Sequence, residues 1–407
     1  MICRMCKSED LRKFLDLGFM PPADEFLRRE QLAYPSTYYP LEVMLCRSCG
    51  LSQLSYVVSP EVLYRHDYPY EASVTRTGQE HFARFASEVT KRFELGSGDL
   101  VLDIGSNVGV LLANFKVNGT RILGVDPAAN IVRIAERNGV PTLNEFFSSH
   151  LAEKIRAEHG RVSVAAASNC FAHINDLDDL MRGLDSLLTP EGVFIIEAPH
   201  FLELVRDIEY DTIYHEHLSY ISLKPLGPFF RKFGMEVFDI RKQRIHGGSF
   251  RVFAGRKGRH KVEASVSKCL KDEKAYGIHE EPVLRRFADA VRRNRRELLG
   301  MLLALKREGK RLVAVSAPAK GMTLLNYCRI TRDILDFVTE KSALKIGRFT
   351  PGEHLPVLPD SELLRRKPDY ALLLAWNFSE EIISNLREYR KRGGKFIIPI
   401  PKPRIIP

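Results

Sequence analysis

No run in this sequence approaches the roughly 20 consecutive apolar residues that a membrane-spanning helix requires. The first ten residues, MICRMCKSED, put cysteines and charges where a secretory leader needs an apolar core. A cytoplasmic protein with no membrane partner is expected, and a monomer is the expected state. The G-x-G-x-x-G fingerprint of dinucleotide binding is also missing. Basic side chains outnumber acidic ones, 61 to 51, which favours anionic partners in general, but the charge is dispersed. Its densest run, VRRNRRELL (291–299), shares a helical period with Leu284, Phe287, Val291 and Leu298. That run reads as the solvated face of a helix rather than a nucleic-acid arm. At 407 residues, 44% hydrophobic and 28% charged, the chain is neither disordered nor fibrous and can form two or three domains with their own cores.

Four of the seven cysteines fall in two C-x2-C pairs, Cys3/Cys6 and Cys46/Cys49. In a cytosolic chain, paired knuckles at this spacing predict a tetrahedral zinc site of four thiolates. Such a shell is closed, so the ion should be structural. The 39 residues between the pairs require a small module, expected over residues 1–65. Cys170, Cys269 and Cys328 are isolated and read as small core residues.

Residues 99–109, DLVLDIGSNVG, run from an apolar strand through a glycine turn into the helix-like VLLANF. Glycines there let backbone approach a ligand closely. The pattern D-x-G-x-N-x-G resembles the first motif of class I S-adenosylmethionine-dependent methyltransferases. Asp103, Gly105, Asn107 and Gly109 are therefore candidate cofactor residues. A second strand, RILGVD, ends in Asp126, about 20 residues past the turn, where a ribose-binding carboxylate is expected. Asp126 also fits a cap on the helix after it, and the two roles are compatible. VSVAAASN ends in Asn169, with His173 one turn later. VFIIEAPH follows the turn TPEG, and residues 234–256 read as a hairpin around His246-Gly247-Gly248. Alternating strands and helices predict an α/β Rossmann-like methyltransferase core over residues 66–256.

Residues 213–220, IYHEHLSY, concentrate groups able to move protons at neutral pH. Taken alone they fit an active site, a metal site or a polar surface turn; H-x-H occurs in metal sites, but no further ligand lies at a telling spacing. In the C-terminal third, APAKGMTLLNYCRI and LKIGRFTPGEHLPV belong to a second, smaller α/β domain expected over 257–407. Its turn at Ala317–Gly321 could offer N–H groups and Lys320 to a phosphate, or Lys320 could simply be solvated. Lys341, Lys345 and Arg348 are weaker candidates.

Together the four-cysteine module, the DIGSN turn, the YHEH segment and the C-terminal block resemble the sugar C-methyltransferases, over nearly the whole chain. The resemblance implies an S-adenosylmethionine-dependent enzyme with structural zinc. Its implied substrate is a nucleotide-linked keto-deoxysugar, with dTDP as the expected nucleotide, gripped in part by the C-terminal domain. It also implies that Asn169 and His173 line the sugar site, that Tyr214, Glu216 and His217 surround the sugar, and that His217 is the base. His173 is the rival base, and His215 the structural member of the segment. A tyrosine of HDYPYEAS, either Tyr68 or Tyr70, should reach the substrate. One departure stands out: relatives carry an acid in the turn where this chain has Val108. The competing reading is a zinc-containing RNA methyltransferase or nucleic-acid-binding protein. No aromatic-basic stripe and no N-P-P-[YF] motif supports it, so no nucleic-acid partner is expected.

Overall fold

The computed structural model describes residues 1–407 except His66, Ser73, Val74, Arg244 and His246. Three sheets organise it.

The first sheet is antiparallel and pairs Leu11–Met20 with Tyr39–Cys46, then Ser52–Leu54, then Ser219–Tyr220. The segment between the cysteine pairs is thus a strand pair. Its last strand comes from far along the chain, directly after the YHEH segment.

The second sheet has seven strands, in the order Met235–Gln243, Ser249–Arg256, Leu188–Pro199, Val162–Ser168, Leu100–Ile104, Arg121–Val125 and Thr142–Leu143. The last five run parallel to one another, and the first two close the edge as an antiparallel pair. Leu100–Ile104 is fully buried, as a strand covered on both faces must be. The expected TPEG turn lies inside Leu188–Pro199 as a bulge: Val162 faces Leu188 and Val164 faces Val193, so four residues loop out between the paired positions. The expected 234–256 hairpin pairs Met235–Gln243 with Ser249–Arg256; His246 at its tip lies outside the described residues. Leu100–Ile104 and Val162–Ser168 lead into crossovers on opposite sides of the sheet. The crevice beyond their carboxyl ends is where ligands bind in such folds.

The third sheet has six strands: Val357–Pro359, Val338–Glu340, Leu312–Val315, Tyr370–Leu373, Lys395–Ile398 and Arg404–Ile406, the last antiparallel. The basic run falls in the helix Glu281–Arg307. That helix buries Leu284, Phe287, Val291 and Leu298 and keeps most of its arginines in solvent. Among the described residues no helix is long and apolar enough to cross a membrane.

Candidate active site

The four cysteine sulfurs lie within 4.8 Å of one another; Cys3 and Cys49 are 3.6 Å apart, and Cys6 and Cys46 3.5 Å. A zinc ion with four sulfurs at ~2.3 Å spaces them about 3.8 Å apart, so these thiols fit a closed zinc shell. The knuckle between Cys3 and Cys6 also reaches inward. Buried Arg4 donates from Nη1 to the Leu54 and Leu218 carbonyls, both at 3.1 Å.

At the carboxyl end of Leu100–Ile104 the chain turns through Gly105 (φ 72°), Asn107 (φ 50°) and Gly109 (φ 81°) into the helix Val110–Val117. A Cβ on Gly105 would come within 2.6 Å of Cys170 Sγ, so the turn packs tightly on the neighbouring strand end. Asp126 accepts from the Asn107 N–H and the Ala128 N–H, each at 2.9 Å. It therefore braces the glycine turn and, with the same carboxylate, holds the residue just before the helix Ala129–Arg137; the cap expected from the sequence does not form, because neither carboxylate oxygen bonds an N–H inside the helix. Asp103 is buried, and its Oδ1 has no hydrogen-bond partner among the described residues. Burial, then the nearby Asp126, pushes its carboxyl well above the usual range. An unpartnered acid beside a glycine turn suits the polar, cationic end of S-adenosylmethionine. Val108 is buried against Ala128 and Ile131, so apolar packing stands where the sequence resemblance leads one to expect an acid.

The side chain of Asn107 does something the sequence did not announce. Its Oδ1 accepts from the Ala72 N–H at 2.9 Å and its Nδ2 donates to the Tyr70 carbonyl at 3.0 Å. Asn130 grips the Tyr68 backbone in the same way, through its N–H at 3.2 Å and its carbonyl at 2.8 Å. Two asparagines on the cofactor side thus pin the segment that carries both candidate tyrosines. Tyr68 donates its hydroxyl to Glu216 Oε2 at 2.8 Å, whereas Tyr70 is exposed at the rim with its ring 6.4 Å from that of Tyr68.

Beyond these lies the YHEH segment. The His217 ring sits 4.0 Å from that of Tyr214 and 5.0 Å from that of His173, which stacks on Tyr64 at 6.1 Å. His217 Nδ1 is 2.7 Å from the Thr212 carbonyl, which can only accept, so Nδ1 carries a proton, and in the neutral ring the lone pair falls on Nε2. His173 is held well below the usual histidine range by burial and then by His217, and its Nε2 has no hydrogen-bond partner among the described residues. Asn169 follows its strand in left-handed backbone (φ 53°), with its N–H bonded to the Glu197 carbonyl. Glu216 is buried. Burial and then Asp24 push its carboxyl up to about 8, against the opposing pull of Tyr68 and Lys345. His215 turns the other way, its Nε2 3.3 Å from the Tyr39 carbonyl of the first sheet.

Glu197, also at a strand end, is engaged by His81 at 2.5 Å and Arg251 at 2.7 Å. Lys345 is not placed like a solvent-facing phosphate ligand. It is buried, bonded to Asp24 at 3.0 Å and to the Ala317 carbonyl at 2.8 Å. Arg348 pairs with Asp67 at 3.0 Å. Lys320 lies 3.8 Å from Asp211 and 4.1 Å above the Trp376 ring. Asp24, Asn130, Thr212 and Asp211 were missed in the sequence; each acts on a residue more than four positions away or through main chain, and no local motif marks them.

The strand order, the glycine turn and its acidic partner define a class I S-adenosylmethionine-dependent methyltransferase with a zinc-binding module. Residues 3–64 match the family described as "Putative zinc binding domain", 78–240 the "Methyltransferase domain" and 244–401 the "C-methyltransferase C-terminal domain". The C-methyltransferase NovU of Streptomyces niveus is 37% identical over 99% of this chain and 96% of its own length. The chain belongs to this family of S-adenosylmethionine-dependent C-methyltransferases. Among solved structures, the magnesium protoporphyrin IX methyltransferase of Synechocystis PCC 6803 is 16% identical, with a TM-score of 0.36 over 47% of this chain and 92% of its own. An S-adenosylmethionine-dependent methyltransferase of Clostridium acetobutylicum is 12% identical, with a TM-score of 0.35 over 44% and 92%.

Proposed function

We propose that the enzyme methylates the carbon beside the ketone of a nucleotide-linked 4-keto-deoxysugar, with His217 as the base. The observation that supports this most is the convergence of His217, His173, Tyr214, Glu216 and Tyr68 beside the glycine turn.

His217 Nε2 takes the proton beside the ketone, and the C–H electron pair becomes the enolate. The Thr212 carbonyl holds the ring in the tautomer that can do this. Negative charge then grows on the ketone oxygen, where Tyr214 or the Asn169 amide donates a hydrogen bond. Glu216, whose carboxyl rises to about 8, is protonated near neutrality and can both donate to and accept from a sugar hydroxyl. Tyr68 orients it, and the ion pair of Lys345 with Asp24 acts on it electrostatically, Asp24 raising and Lys345 lowering its pKa. Asp103, Gly105, Asn107, Gly109 and Asp126 would hold S-adenosylmethionine, which supplies an electrophilic methyl group to the enolate carbon. The buried aromatic walls keep water from the enolate.

The test is mass spectrometry of nucleotide-linked 4-keto sugars incubated with enzyme and S-adenosylmethionine. A gain of one methyl is expected, at the carbon that exchanges deuterium when the cofactor is withheld. No gain with any keto sugar, alongside methylation of RNA, would overturn the reading.

A further inference from the structure

The crevice of the third sheet is occupied by the protein itself. Leu312–Val315 and Tyr370–Leu373 are parallel neighbours, and the strand order reverses between them, so a ligand would be expected beyond their carboxyl ends. Lys320 follows the first strand and Trp376 the second, and both face the short turn Tyr210–Thr212. Trp376 Nε1 donates to Asp211 Oδ2 at 2.7 Å, and Lys320 Nζ lies 3.8 Å from the same oxygen while stacking over the indole. Asp211 is fully buried. One residue earlier, the Tyr210 hydroxyl donates to Asn294 Oδ1 at 2.9 Å; Asn294 Nδ2 in turn donates to the Pro399 and Pro401 carbonyls at 2.8 and 3.0 Å. One residue later, Thr212 bonds through its hydroxyl to the Glu209 carbonyl at 2.7 Å and offers its own carbonyl to His217.

We infer that Asp211 is a positioning residue for the methyl-transfer reaction: Lys320 and Trp376 clamp it, the clamp fixes the turn, and the turn's Thr212 carbonyl fixes the tautomer and aim of His217. The C-terminal sheet thereby serves the base directly, and Lys320 serves the turn rather than a phosphate. A charged clamp suits this task. A buried carboxylate whose partners are removed is costly, so the turn has one strongly preferred position. The inference rests on His217 being the base.

The experiment compares Asp211→Asn, Trp376→Phe and Lys320→Met with wild type and His217→Ala. The readouts are deuterium exchange beside the ketone of a dTDP-linked 4-keto-6-deoxyhexose without cofactor, then kcat and KM with it. Asp211→Asn keeps an acceptor for the indole but removes the charge facing Lys320; Trp376→Phe keeps the ring and removes the donor. Each should slow exchange and kcat by on the order of tenfold while KM stays within about twofold. The 15N shifts of His217 should move from one tautomer toward a mixture. Trp376 is the sole tryptophan, so its fluorescence reports that the clamp has changed in the folded Asp211→Asn and Lys320→Met variants. If Asp211→Asn does not fold, Trp376→Phe decides. Wild-type exchange and an unchanged tautomer in these variants, with His217→Ala inactive, overturn the clamp alone. Undiminished exchange in His217→Ala overturns the base assignment and the clamp with it.

Discussion

Arg4 Nη1 donates to the carbonyl of Leu218, the residue that follows His217, at 3.1 Å. Arg4 stands between Cys3 and Cys6, so the metal knuckle and His217 are one bond network apart. The same nitrogen reaches the Leu54 carbonyl, and Leu54 N–H bonds back to the Leu218 carbonyl at 2.9 Å. The strand after His217 is thus held to the zinc module as firmly as a sheet ladder holds its neighbours.

Zinc should therefore matter to turnover as well as to stability. Cys46→Ser is expected to lose the ion, to lower the melting temperature and to reduce kcat by more than the unfolded fraction explains. Elemental analysis, calorimetry and turnover on the same sample check this. Full zinc content with an unchanged melting profile defeats the structural role.

Asp126 serves two backbone N–H groups and, in the proposed function, the cofactor. Asp126→Ala should cost ~1–3 kcal/mol of stability, the range for leaving buried backbone N–H donors without their acceptor, and weaken S-adenosylmethionine binding. Asp126→Asn should recover most of the stability and less of the affinity. Unaltered affinity in the alanine variant, by titration calorimetry, leaves Asp126 as a brace of the turn alone.

Glu216, which binds the sugar in the proposed function, carries a stability cost. Its folded-state pKa, about 8, is above that of an unfolded glutamate, about 4.3. A group raised in this sense stabilises the fold below the lower value, and that contribution is lost as pH rises through the higher one. Wild-type stability should fall between pH about 4.3 and 8. Glu216→Gln does not titrate and should melt higher than wild type at alkaline pH while turning over more slowly. Parallel melting curves across that range refute the assignment.

Glu273 behaves oppositely. It is buried among His200 at 3.0 Å, His279 at 3.5 Å and the Leu223 and Lys224 N–H groups. Burial pushes its carboxyl up, but the histidine bonds more than offset this and bring it to about 2. A lowered pKa gives stability that is present above the unfolded value and lost as pH falls toward the folded one. Between pH about 4.3 and 2 the wild type should lose ~3 kcal/mol that Glu273→Gln lacks at every pH. Acid titrations of the two proteins with the same slope would contradict this.

The parts of the site readable in advance are those whose chemistry is local. Two C-x2-C pairs bring thiolates to one ion because each pair spans a single tight turn. DIGSNVG declares a turn because backbone near φ +70° admits glycine readily. The unresolved choice between Tyr68 and Tyr70 shows the limit. Both are aromatic residues two positions apart, and only the grip of Asn130 and Asn107 on their backbones sends the Tyr68 hydroxyl to Glu216.

The sequence by itself determined the class of the protein, its glycine turn, the two knuckles of its zinc shell and the cluster of proton-moving groups at 214–217, since each depends on residues close in the chain. Tertiary structure alone decided how His217 is held. Thr212, Asp211, Trp376, Lys320 and Arg4 act across separations that no periodicity marks, up to 214 residues between Arg4 and Leu218. Contacts of that range exist only after the sheets have packed, because burial makes their hydrogen bonds obligatory, and chain spacing does not.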